Sequence, residues 1–331
     1  MLKLFLWWLW PVRWGRAFLW ALCGVHVSPS ALLLGRAGSF KIGCGSKIGA
    51  RTRFITGDKG TLVAGAGVWM SSDIEIQTDS TVRIGDRTSI QRRCSFNNAV
   101  RIGRDCLLAP NVFISSGVHA FHIAPHLPIR EQERLIEANP ELARGLDRPV
   151  WIQDDCWIGI NVFIGPGVTI GKGSVIGANA CVVRDIEPFA IAVGVPARVV
   201  KRRLDWKPGP LIDSNDDFHR PYILSGEWQT AGPEGPAMIV VTPDEPLIAA
   251  LAPADEAGKP QGVVIRYQAS EDIRVEVGGE PFVLPARQNE TAFPSRLLAF
   301  RYGAWLMELK IAAASPCAGV LGISRIAWAR P

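Results

Sequence analysis

At 331 residues the chain has room for two or three domains and a large buried core, and with 48% hydrophobic and 20% charged residues it reads as globular, not disordered. A formal charge of +5, with no dense Lys/Arg run and no basic helix interleaved with aromatics, excludes nucleic acid as a partner. Seven cysteines, an odd number without a Cys-x-x-Cys pair, exclude a disulfide scaffold and fit a reducing cytosol.

Residues 1–40 open with "MLKLFLWWLWPVRWGRAFLWALCGVHVSP". The apolar run Leu4 to Val12 is far short of the roughly 20 residues that span a bilayer, and Arg13 and Arg16 follow it directly. A secretory signal needs a longer apolar centre and small residues before a cleavage point. Five of the twelve tryptophans fall in the first 20 residues, beside Lys3, Arg13 and Arg16. Two compatible readings stand: a helical cap on the apolar end of the next domain, or a helix that touches a membrane interface through residues 1–25.

From residue 41 to 204 a six-residue period organises the chain. Aliphatic or Phe residues fall at 42, 48, 54, 62, 68, 74, then at 84 to 114 in steps of six, and again at 152 to 182, eighteen hexads in all. In the two unbroken runs the position four residues later is small or β-branched, as in Thr88, Cys94, Cys106, Val112, Cys156, Val162 and Ser174. Neither a helix nor an ordinary strand repeats in this way, whereas a parallel β-helix does: three short strands and three tight turns per coil, identical positions stacked from coil to coil. Eighteen hexads predict about six coils, with Gly or Asn at turns that need φ > 0. Cys94, Cys106, Cys156 and, adjoining, Cys181 read as small packing residues.

One long insertion, 120–149, interrupts the beat. Its first part falls in "SSGVHAFHIAPH", where His119, His122 and His126 hold three of the five histidines, and it continues as "IREQERLIEANPELARGL", a short charged helix ending near Asn139 and Pro140. Three readings of the histidines remain open. One is a general base, for which imidazole suits neutral pH, with His119 favoured because it ends the last hexad, where strand geometry still fixes it. The second is a metal site. The third leaves His122 and His126 as loop residues.

After residue 204, "DWKPGPLIDSNDDFHRP" reads as a Pro-rich linker over 205–221. Residues 222–331 carry short β-rich runs separated by Gly and Pro, which predict a small antiparallel sandwich or barrel. Its role reads as structural service or as carbohydrate binding through exposed Trp228, Tyr267, Tyr302 and Trp305.

The run "VWIQDDCWIGINVFIGPGVTIGKGSVIGANACVVRDIEPFAIAVGVPARVVKRR" resembles the C-terminal half of the hexapeptide-repeat acyltransferases, a group that includes the maltose and galactoside O-acetyltransferases and the polysaccharide-modifying acetyltransferases. The resemblance is close over 84–203 and weaker over 41–83. It implies an all-β fold built on a left-handed parallel β-helix, against the general preference for right-handed crossovers. It also implies acetyl-CoA as co-substrate, no metal, and direct attack of an acceptor hydroxyl on the thioester. "APNVFISSGVH" aligns His119 with the catalytic base. By the same resemblance Asn97 and His122 face the acceptor. Trp157, Gly159, Ile160 and Ala178 would lie along the pantetheine and thioester, and Arg198 and Lys201 would meet the CoA phosphates. The partners implied are a sugar or glycan acceptor and two further copies in a homotrimer with sites between subunits. The location implied is the cytoplasm, at the inner face of the cytoplasmic membrane if the N-terminus touches it. A γ-carbonic-anhydrase-like hydratase shares the fold and uses three histidines on zinc, but draws them from neighbouring coils and subunits, whereas His119, His122 and His126 share one loop. That hydratase and a non-catalytic trimeric scaffold stand as alternatives.

Overall fold

The computed structural model describes residues 10–230, 236–243, 246–252, 262–286, 288–301, 304–312 and 321–329. The chain divides into two compact units, Met1–Leu204 and Asp205–Pro331. In the first unit, helix α1 (Trp10–Leu22) precedes three sheets whose strands are taken in rotation. The first face runs from His26–Val27 through Lys47–Ile48, Trp69–Met70, Ser89–Ile90, Leu107–Leu108, Trp157–Ile158 and Val175–Ile176 to Ala190–Val193, every step parallel. The second face has seven strands and the third six, so the chain winds a left-handed parallel β-helix of seven coils.

The aliphatic beat is the register at 42, 48 and 54 and from 84 onward, but not at the expected 62, 68 and 74, where Ala64, Met70 and Ile76 take the stacked places two residues later. Ile90, Leu108, Ile158 and Ile176 stack inward on the first face, Ile76, Phe96, Ile114 and Ile164 on the second, and Ile84, Ile102, Ile152 and Ile170 on the third. All are buried. The residues four positions later fill the corners: Thr88, Cys94, Cys106, Val112, Cys156, Val162, Val168 and Ser174 are buried, and Val118 alone is 38% exposed, because the chain leaves the prism there. The polar members are satisfied locally. Thr88 Oγ1 donates to Gly103 O at 2.7 Å and Ser174 Oγ to Glu187 O at 2.8 Å.

Two expectations are corrected. The β-helix begins at His26, not residue 41: Leu32–Leu34 pairs with Arg53–Ile55 and Phe40–Ile42 with Leu62–Ala64, making an extra coil. The beat is present there as Val27 and Leu33, but Ile42 follows Leu33 by nine positions instead of six, which hides it. The turns, moreover, are not served by Gly and Asn alone. Arg51, Asp73, Arg87, Arg93, Asp105 and Asp155 also adopt φ of +56° to +60°. A side chain there is strained, and the corner compensates by stacking complementary partners. Arg51 grips the Asp73 carboxylate at 2.6 and 2.7 Å, Arg87 grips Asp105 at 2.7 and 2.8 Å, and Asn111, Asn161 and Asn179 form an amide ladder at 2.8 and 3.0 Å. The prism ends where Arg198–Arg202 turns back antiparallel on Ala190–Val193.

Burial pushes the Cys94 thiol up to about 11 and raises that of Cys106 well above the ordinary range, while Cys23 and Cys44 are exposed. A thiol reagent is therefore expected to label Cys23 and Cys44 in the native protein and to reach Cys94, Cys106 and Cys156 only after denaturant is added. Mapping the labelled peptides checks this, and rapid native labelling of Cys106 would refute it. Cys317 lies outside the described residues.

The second unit is a sandwich of two antiparallel six-stranded sheets that share one core, with Ile239, Val263, Phe293 and Ile323 from one sheet against Leu247, Val275, Met307 and Leu309 from the other. The expected linker belongs to this unit. Leu211–Asp213 pairs with the strand Leu321–Trp328, and Trp206 and Ile212 are buried. Of the aromatics expected at its surface, Tyr267 is buried, its hydroxyl donating to Pro285 O at 3.1 Å. Trp228 is half-buried and donates its indole N–H to Asp217 at 3.1 Å, and Trp305 packs edge-on against Phe300. Tyr302 lies outside the described residues.

Candidate active site

The insertion leaves the second face after Phe113–Ser115 through a tied neck. Ser116 is buried and its hydroxyl donates to the Asp147 carboxylate, which also accepts from Asn98 Nδ2 at 2.6 Å. Val118 N–H donates to Leu146 O at 3.0 Å and Arg148 N–H to Ser116 O at 2.8 Å, so the two strands of the neck close on each other. Beyond it lies α2 (Ile129–Ala138), the helix expected from the sequence, followed by a 3-10 turn at Pro140–Ala143. Buried Gln132 anchors α2 by accepting from Ala124 N–H at 3.1 Å and donating to Leu127 O at 2.9 Å.

This anchoring brings Glu133 to His119. The imidazole Nδ1 is hydrogen-bonded to Glu133 Oε1, and the two side chains are 83% and 39% exposed. A carboxylate only accepts, so Nδ1 carries the proton and Nε2 presents a lone pair. An imidazole whose tautomer is set by a carboxylate in this way can accept a proton at Nε2. Glu133 escapes a reading of the sequence alone, since it lies fourteen residues on in a helix that looks merely charged and solvent-facing.

The other expected residues fall into two groups. Asn97 lies in register between Gln77 and Ser115 on the second face, and its carbonyl accepts Ser116 N–H at 3.2 Å, at the foot of the neck. His122 is exposed and meets Phe121 edge-on at 5.2 Å, and His126 is exposed. Among the described residues no three His, Cys, Asp or Glu side chains gather as metal ligands.

The second group lies on the first face and its corner. Trp157, 55% exposed, stands in one row with Leu107, Val175, Ile191 and Lys201. Exposed Ile160 and Ala178 flank Gly159, where a Cβ would come within 2.7 Å of Ala178 N and 2.8 Å of Ile176 O, so only glycine fits. The Gly159 N–H itself donates to Ile176 O at 2.8 Å as part of the coil ladder. Arg198 lies opposite Val193 on the exposed closing strand, whereas the adjoining Arg202 and Arg203 are held by Glu187 and Asp155 at 2.8 and 2.9 Å. The corner with the Asn111–Asn161–Asn179 ladder separates the two groups, so one prism does not close a site around His119 from both.

The six-repeat model of the bacterial transferase hexapeptide matches residues 149–184. Over those residues the β-helix is built of hexapeptide repeats. Among solved structures similar to it are a hexapeptide-repeat acetyltransferase from Vibrio cholerae (32% identity, 38% of this chain and 64% of that one, TM-score 0.31) and a maltose O-acetyltransferase from Clostridium difficile (27%, 50% and 72%, 0.28). A galactoside acetyltransferase in complex with coenzyme A is similar at 32% identity over 42% of this chain and 60% of that one, with TM-score 0.22. The chain thus spans less than two thirds of the first and third of these. Comparison with curated protein sequences finds no match. The hexapeptide-repeat domain is where all of the expected site residues lie.

Proposed function

We propose that the protein is a CoA-dependent O-acyltransferase that moves an acetyl group from acetyl-CoA to a hydroxyl of a sugar or glycan precursor. The observation that carries this reading is the His119–Glu133 pair, held at the mouth of a loop extruded from a hexapeptide-repeat prism. Nε2 of His119 takes the hydroxyl proton as the oxygen attacks the thioester carbonyl; the C–S bond then breaks and the proton passes to the departing thiolate. Thiolate is a good leaving group, so neither a metal nor a covalent enzyme intermediate is called for.

The division of the site residues between two faces supports a homotrimer in which His119, Asn97 and His122 of one subunit meet Trp157, Gly159, Ile160 and Ala178 of the next. Arg198 and Lys201, at the end of the Trp157 row, offer the charge that CoA phosphates require. With Gly159 N–H engaged in the ladder, it is Ile160 and Ala178 that would face the thioester. The proposed location is the cytoplasm, where acetyl-CoA is made.

Following free thiol with acetyl-CoA across a panel of glycan acceptors tests the reading; no release with any acceptor, joined to no thermal protection by acetyl-CoA, sinks it. Glu133→Gln keeps the shape of the side chain and removes its charge. It is expected to lower kcat about tenfold with KM for acetyl-CoA changed less than about twofold, in steady-state kinetics. A loss carried by KM instead would give Glu133 a binding role.

A further inference from the structure

Helix α1 has an outer and an inner side. Phe18, Leu19 and Leu22 are 65%, 62% and 69% exposed, and with exposed Gly15 they span an arc of about 100° on a helix that advances roughly 100° per residue. Ala17, Trp20 and Ala21 lie on the opposite arc. Ala17, Ala21 and the edge of Phe18 border a groove of about 570 Å³, whose floor is the first face of the first three coils. There His26, Lys47 and Trp69 stand in register on successive strands. Three large apolar side chains in water beside an open groove need an occupant or a cover.

Charge identifies it. No Asp or Glu occurs before Asp58, while Lys3, Arg13, Arg16, Arg36, Lys41 and Lys47 all precede it. Arg51 and Arg53, which also precede Asp58, are paired with Asp73 and Glu75. We propose that α1 and the groove beside it dock the protein on an anionic lipid bilayer, the Phe18–Leu19–Leu22 arc entering the headgroup layer and Lys47 facing lipid phosphate at the groove. Apolar insertion and attraction to anionic headgroups act together there, and a zwitterionic surface supplies only the first. A second copy of the chain fits poorly, because it would set one carboxylate-free cationic segment against another. The helix of 13 residues lies on the surface; among the described residues no helix is long and apolar enough to cross a membrane. The inference goes beyond acyl transfer and stands independently of it.

The test is flotation of the full chain with phosphatidylcholine vesicles, with and without phosphatidylglycerol. The chain is expected to float with the anionic vesicles and to be released by high salt. F18E/L19E is expected to lose at least about tenfold of the vesicle-bound fraction, and K47E about fivefold. Both variants are expected to keep the parent's melting transition and its shift with acetyl-CoA; if F18E/L19E fails to fold, K47E decides. No flotation, equal flotation with both vesicle types, or binding untouched by K47E overturns the proposal. So does self-association of the parent that F18E/L19E abolishes in the absence of flotation, which would assign the surface to a second copy. A parent that floats but is neither protected by acetyl-CoA nor releases thiol with any acceptor sinks the acyltransferase reading and leaves the docking surface standing.

Discussion

His119→Ala is expected to lower turnover by about 10² to 10⁴ while leaving thermal unfolding and the acetyl-CoA shift as they are in the parent. The side chain is 83% exposed, so its removal opens no cavity, and the Glu133 carboxylate left behind stays in contact with solvent. The loss is therefore chemical: without Nε2 the attacking hydroxyl must give its proton to water. Thiol release under saturating acetyl-CoA measures it. A rate within about threefold of the parent would remove His119 from the chemistry, and a collapse of the melting transition would make it a structural residue instead.

Phe96→Ala is expected to cost the prism about 3 to 5 kcal/mol. The ring is fully buried, and its strand lies in register between Ile76 below and Ile114 above. Each coil of a solenoid touches only its neighbours, so the cavity cannot be filled from a distance. Strand Ser95–Asn97 carries Asn97, and strand Phe113–Ser115 leads into the neck that orients His119, so activity is expected to fall together with stability. Hydrogen exchange at these two strands reads the effect in the first unit directly. A loss below about 1 kcal/mol would mean that the surrounding aliphatic stack closes over the hole.

The period in the sequence carried most of the first unit because a solenoid uses one packing solution repeatedly, and each repetition states it again. It failed where coils are longer. The step from Leu33 to Ile42 breaks the beat, and the strand Leu32–Leu34 is too short to declare itself by alternation. The Pro-rich "DWKPGPLID" misled for a related reason: Ile212 is buried opposite Ile326, more than a hundred positions away, and Trp206 packs edge-on against Tyr222, and composition holds no record of either. Tyr267 faces inward because its strand alternates Val263, Ile265 and Tyr267 toward the core, a phase that counting aromatics does not reveal.

In the site, the histidine itself was legible through its place at the end of the last hexad. Its partner was not. Glu133 meets it only because Gln132, next in the helix, is buried and fixes the face that α2 turns toward the loop. Trp157, Gly159 and Ile160 follow one another at one corner and Ala178 lies at the like position of the next coil, so they share one region, whereas the closing strand that holds Arg198 and Lys201 reverses direction, a turn the period has no means to announce.

That reversed strand bears on how large the object can be. Identical coils have no natural length, and a bare rim is an invitation for another chain to continue the winding. Arg198–Arg202 answers with the wrong polarity and three cations on five exposed residues, so a newcomer finds neither the alignment nor the neutral edge it would need. The winding of the β-helix stops at this strand because its direction differs from that of every coil before it.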